Sequence, residues 1–106
     1  VRRTEALATE RADYIVDFLS RRSCADCGEF DPRVLEFDHL RDKKFDITRG
    51  LRQRPWAALL DEIAKCDVVC ANCHRRRTAL RAGTARLAAL QRRSVTLSEA
   101  ELPLDA

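Results

Sequence analysis

The pentapeptide Cys70-Ala71-Asn72-Cys73-His74 decides how this chain is read, because it repeats the spacing of Cys24-Ala25-Asp26-Cys27 and ends on one of only two histidines. Thiolates are soft ligands, and a two-residue gap lets each pair chelate one tetrahedral ion. The four cysteines therefore predict a closed, structural Zn2+ site. Two identical spacings in 106 residues outweigh the reading of four unrelated buried thiols. A ligand set that uses Cys66 or His74 in place of one knuckle cysteine is the less economical alternative. Cys66 lies between Ile63 and Val68-Val69 and reads as a buried thiol of the core.

Outward from the knuckles, the pattern predicts a small α+β domain. Leu7, Tyr14, Ile15, Phe18 and Leu19 recur at three- and four-residue spacings, which predicts an amphipathic helix over about 4–22. Residues 23–32 read as the first knuckle. Val34-Leu35-Glu36-Phe37-Asp38 alternates apolar and acidic residues as a half-buried strand does, ending at Asp38-His39. Phe45-Asp46-Ile47 reads as a second short extended piece, and 49–54 as an exposed basic connection. Pro55 opens a helix to about Lys65 with Trp56, Leu59, Leu60 and Ile63 on one face. Asp67-Val68-Val69 reads as a strand entering the second knuckle. A helical pattern over 72–93 puts Leu80, Leu87 and Leu90 on one side, weakened at Gly83 by about 1 kcal/mol relative to Ala. The domain is expected to span 1–93, with its core at about 23–82 and a flexible acidic tail at 94–106.

Charge points to the partner. The chain carries +3 overall, but its last thirteen residues hold three acids and no Lys or Arg, so residues 1–93 carry +6. A basic surface favours nucleic acid, although a solvated charged surface explains it equally well when taken alone. No apolar run approaches the roughly 20 residues needed to span a bilayer, and nothing reads as a signal peptide. Five cysteines without such a leader predict a reducing, cytoplasmic setting and metal binding rather than disulfides.

Clipping the knuckles together makes neighbours of Asp38-His39 and His74. A carboxylate and an imidazole suit a divalent ion that keeps open positions for water and a phosphate oxygen. Adjacent strand residues face opposite ways, so Asp38 and His39 share a site only if the strand bends or ends there, and it is expected to end there. Histidine ordinarily titrates near neutral pH, so His39 is the candidate to take a proton from an attacking water. Arg75, Arg76, Arg77 and Arg81 are candidate phosphate contacts, with Arg77 and Arg81 on the His74 side of the helix.

These residues resemble the zinc-knuckle subgroup of the HNH endonuclease family, found in bacteria and their phages. The resemblance covers about 14–81 and rests on Cys24-Ala25-Asp26-Cys27-Gly28, Val34-Leu35-Glu36-Phe37-Asp38-His39 and the run from Cys70 to Thr78. It implies a ββα-metal core around a catalytic Mg2+ or Mn2+, stapled by the four-cysteine zinc site and flanked by helices. By that likeness Asp38 and His74 are catalytic metal ligands and His39 is the general base. The family's middle asparagine normally precedes the second knuckle, where it steadies the loop bearing the base. Here that region reads Ala64-Lys65-Cys66-Asp67, so the role is either missing, taken by Lys65 or a backbone group, or supplied by the sole asparagine, Asn72, a further catalytic candidate. The family nicks or cleaves double-stranded DNA, which implies a DNA endonuclease in a bacterial or phage-infected cell, with a phage terminase or a second copy of the chain as further partners. The alternative is a non-catalytic, zinc-stabilised DNA-binding module.

Overall fold

The computed structural model describes residues 2–93. Among them five helices and a two-stranded antiparallel sheet form a small α+β structure. Helix α1 (Arg2–Ser20) is followed by a 3-10 turn (Pro32–Val34) and strand β1 (Leu35–His39). Then come α2 (Ile47–Gln53), α3 (Trp56–Ile63), β2 (Cys66–Cys70), α4 (Ala71–Ala82) and α5 (Ala85–Arg92). The described residues divide into two compact units, the first ending at His74 and the second beginning at Arg75. The predicted acidic tail, 94–106, lies outside the described residues.

The first unit is built on the sheet. Strands β1 and β2 pair from Leu35↔Cys70 through Asp38↔Asp67 to His39↔Cys66, so β1 keeps its pairing through His39. Leu19, Cys24, Leu35, Val68, Val69, Cys70 and Cys73 form the buried core, with Ile15, Phe18 and Phe37 packed against it. The predicted amphipathic helix is present, and its Phe18 ring meets Phe37 of β1 at 5.8 Å between centroids. Three of the four knuckle cysteines are core residues, so the same burial that excludes water assembles the sulfur cluster.

The first knuckle is a tight turn tied to the sheet. Gly28 N–H donates to the Cys24 carbonyl at 2.9 Å, and Ala25 N–H donates to the Val68 carbonyl at 2.9 Å. Gly28 adopts φ +84°, the left-handed region that glycine enters without steric cost.

Three local expectations differ from the structure. Phe45-Asp46-Ile47 does not form an extended piece, because only Asp46, the N-cap of α2, is extended and Ile47 already begins the helix, with Ile47 and Gly50 buried. The 49–54 segment is thus largely helical. Gly50 sits where a Cβ would lie 2.7 Å from the Phe45 ring and 3.0 Å from Leu59, so this helix accepts a poor helix former to let Phe45 and Leu59 approach. The predicted C-terminal helix breaks in two at Gly83, which adopts φ +59° and closes α4 through Gly83 N–H to the Ala79 carbonyl at 3.0 Å. Thr84 then caps α5 by accepting from Leu87 N–H at 3.2 Å. A left-handed glycine followed by a capping threonine ends one helix and starts another. Leu87 is buried but Leu80 is not, so the predicted leucine stripe is interrupted.

Helix α1 is pinned to α2 by Arg11, 9% exposed. Its guanidinium donates to the Leu51 carbonyl at 3.1 Å and the Arg54 carbonyl at 2.7 Å and lies 5.5 Å from the Trp56 ring centroid. These bonds satisfy carbonyls at the end of α2 that the helix leaves open. Hydrogen bonds to a charged donor contribute about 1.5–3 kcal/mol. We expect Arg11→Met, which keeps the apolar stem, to lower the urea unfolding free energy by about 2 kcal/mol.

Candidate functional site

Four sulfurs come together where the knuckles meet. The Sγ atoms of Cys24, Cys27, Cys70 and Cys73 all lie within 4.8 Å of one another, with Cys27 and Cys70 at 3.7 Å. Tetrahedral zinc with bonds of about 2.3 Å holds its sulfurs about 3.8 Å apart, so the cluster could hold a metal such as zinc. Helix α4 starts directly after Cys70, whose sulfur accepts the Cys73 N–H at 3.5 Å. That is the place of an N-cap.

The thiols are not equivalent. Burial acts to raise Cys24, but the backbone amides of Cys70, Asp26 and Cys27 directed at its sulfur hold its pKa at about 6. Burial and the neighbouring sulfurs push Cys73 up to about 12. A metal must therefore displace protons, and loading strengthens as pH rises. Cys66 stays outside this cluster. Burial and the nearby carboxylates of Glu62 and Asp38 raise it to about 11, and its sulfur donates to the Glu62 carbonyl at 3.4 Å. It is half-buried rather than the buried core thiol that the sequence predicts.

The first turn of α4 carries His74 to the sheet. Glu36 and Asp38 lie two apart on β1 and so share a face. His74 reaches both: Nδ1 is 2.7 Å from Glu36 Oε1 and Nε2 is 3.5 Å from Asp38 Oδ1. Asp38 is 2% exposed while the His74 side chain is 29% exposed, which makes a half-open pair with a buried carboxylate at its base. Two ligands of one divalent ion, each at about 2.1 Å, sit about 3.0–3.4 Å apart at right-angle to tetrahedral geometry. The observed 3.5 Å is slightly longer than that range. A ligating histidine commonly donates its other ring N–H to a carboxylate, and Glu36 stands in that position.

His39 lies elsewhere. Alternation along β1 turns it to the opposite face from Asp38, and its Nε2 is 3.0 Å from Glu62 Oε2. Glu62, on α3, is 1% exposed and takes two further donors. Lys44 N–H bonds Oε2 at 2.8 Å and the Lys65 ammonium bonds Oε1 at 2.9 Å. Burial would raise this carboxyl, but Lys44, Lys65 and His39 outweigh it and hold it at about 2.

The structure thus joins Asp38 to His74 and the four cysteines to one another, and it gives His39 a different partner. Asn72 is exposed on the first turn of α4, and no hydrogen bond ties it to Asp38, His39 or His74 among the described residues. Arg75, Arg76 and Arg81 are exposed and Arg77 half-buried. They belong to the second unit, along the rest of α4. Two residues escape the sequence reading, Glu36 and Glu62. Glu62 carries a signal, since an acid three residues after Leu59 falls on the apolar arc of an amphipathic helix.

No helix among the described residues is long and apolar enough to cross a membrane. Compared with family models, with curated proteins and with solved structures, the chain matches none.

Proposed function

We propose that this protein is a metal-dependent endonuclease that nicks or cleaves double-stranded DNA by phosphodiester hydrolysis. The observation that carries the reading is the meeting of Asp38 and His74, with Nε2 3.5 Å from Oδ1, beside a four-cysteine cluster. Two antiparallel strands leading into a helix, with acid and imidazole at the junction, support the ββα-metal core that the HNH resemblance implies.

In this reading Cys24, Cys27, Cys70 and Cys73 hold a structural Zn2+ that fixes the start of α4 against the sheet. Asp38 and His74 hold a Mg2+ or Mn2+, and Glu36 orients the His74 ring. When bound, that ion supplies Lewis-acid stabilisation of the charge that develops on the phosphate and the leaving 3′ oxygen. His39, held by β1 on the face opposite Asp38, takes the proton of the attacking water only when the end of β1 turns its Nδ1 toward the ion. Arg75, Arg76, Arg77 and Arg81 contact backbone phosphates, which makes binding salt-dependent and tolerant of sequence. A second copy of the chain would supply the second cut of a duplex, and a terminase is a partner of the same reading.

One observation favours the alternative of a zinc-stabilised DNA-binding module without turnover: the Nε2 of His39 is already engaged by Glu62. Relaxation of supercoiled plasmid separates the two. Zinc-loaded wild type is expected to relax the plasmid with Mg2+ or Mn2+ and not with chelator, and His39→Ala to do so about 100-fold more slowly, both folded by circular dichroism. Equal inactivity would replace the nuclease with the binding module, in which Arg77→Ala still weakens DNA binding and its salt dependence. Equal activity would move the base away from His39.

A further inference from the structure

We infer that Glu62 is the positioning residue of His39, its carboxylate fixing which ring nitrogen carries the proton and anchoring the loop that follows the ring. The inference rests on the nuclease reading, in which His39 is the base.

Position 62 lies on the buried arc of α3, where leucine would pack without desolvating a charge. A carboxylate buried to 1% exposure is costly unless its lone pairs are met by donors. Here they are met by Lys44 N–H, the Lys65 ammonium and His39, so the network is complete. An ionised carboxylate only accepts hydrogen bonds. His39 Nε2 therefore carries the hydrogen, and Nδ1 is the nitrogen of the neutral ring that keeps its lone pair. The arrangement is that of any imidazole held in one tautomer by a buried acid, which leaves the other nitrogen to act as base.

The same group anchors the backbone beyond the ring. Besides the Glu62 bond to Lys44 N–H, the Lys65 ammonium donates to the Asp42 carbonyl at 2.9 Å, and Leu40 N–H donates to the Lys65 carbonyl at 2.9 Å. The segment after His39 is thus fastened at residues 40, 42 and 44 to the junction of α3 and β2. Asp42 lies within that segment at φ +43°, a conformation uncommon outside glycine and asparagine-like residues. Glu62 sets the ring and part of the loop, and Lys65 sets the rest.

The test has two arms. Long-range 1H–15N spectra of the zinc-loaded wild type, with the His39 signals assigned by their loss in His39→Ala, are expected to show the Nε2–H tautomer. A dominant Nδ1–H tautomer would overturn the inference. In the second arm a fluorescein-labelled duplex is cut with Mn2+ under single-turnover conditions. Glu62→Gln is expected to cut about 100-fold more slowly, with zinc content, half-saturating duplex concentration and Mn2+ affinity unchanged and the His39 spectrum altered. Lys65→Met is expected to keep the Nε2–H tautomer. Wild-type rate in Glu62→Gln with an unaltered His39 spectrum would overturn the inference while leaving the nuclease reading intact. A wild type that cuts nothing overturns both, and the wild-type control distinguishes the two failures. Should Glu62→Gln fail to load zinc, the wild-type spectrum decides.

Discussion

Stripping the metal from Cys24, Cys27, Cys70 and Cys73 with a high-affinity chelator is expected to abolish the cooperative thermal transition of this protein. Structural zinc binds with an apparent free energy of about 10–16 kcal/mol near neutral pH, whereas a domain is stable by only about 5–15 kcal/mol in total. Three of the four ligands, Cys24, Cys70 and Cys73, also belong to the apolar core. Loss of the ion leaves the thiol of Cys73 protonated amid the other sulfurs and removes the clip between the first knuckle and the start of α4. Calorimetry and near-ultraviolet circular dichroism would follow the loss, and readdition of Zn2+ should restore both signals at one equivalent per chain. Cys70→Ser should behave as the stripped protein does, while Cys66→Ala, outside the cluster, should still bind one zinc. Loading should weaken as pH falls, since protons compete for the sulfurs.

The second large effect concerns chemistry rather than stability. Asp38→Asn and His74→Ala are each expected to lower Mn2+-dependent DNA cleavage by about a thousandfold or more, since an ion that stabilises transition-state charge contributes several kcal/mol. Both variants should retain zinc, because neither residue is among the four sulfur ligands. Glu36→Gln should be milder, about 10- to 100-fold in Mn2+ affinity, as for other groups that orient a ligating histidine. A binding titration of Mn2+ alongside the cleavage rate separates loss of the ion from loss of a later step. Full cleavage by either Asp38→Asn or His74→Ala would remove the ion from the Asp38–His74 pair.

The parts of the site that obey a short-range rule are legible in the sequence. Two Cys-x-x-Cys pairs announce a cluster wherever the chain between them goes, and the structure closes that cluster with the four expected cysteines. Period-two alternation in 34–38 places the strand, but the expectation that it ends in time for Asp38 and His39 to share a site fails, because β1 stays paired through His39 and the two face opposite ways. The pairing of Asp38 with His74 follows from the knuckles, which leave the two segments little freedom to separate.

What the sequence hides depends on the approach of elements distant along the chain. Glu62 gains meaning only when α3 brings it to His39 and Lys44, and no local pattern specifies that meeting. Glu36 is an outward strand residue until α4 sets His74 above it. Gly83 is visible as a weak helix residue, but its left-handed conformation, which splits the last helix in two, is a matter of backbone geometry rather than propensity. The Phe45-Asp46-Ile47 segment imitates a strand by alternation, whereas Asp46 is the residue before a helix whose Gly50 yields space to Phe45.

Two metal centres of different chemistry, one of sulfur and one of carboxylate and imidazole, are held side by side by the second knuckle in this reading. Anomalous diffraction from crystals grown with Zn2+ and soaked in Mn2+, recorded at the absorption edges of both metals, tests this most directly. The predicted result is a zinc peak among the Sγ atoms of Cys24, Cys27, Cys70 and Cys73 and a manganese peak between Asp38 Oδ1 and His74 Nε2. Zinc at the sulfurs with no manganese at Asp38 and His74, at a concentration that saturates other protein manganese sites, would contradict it.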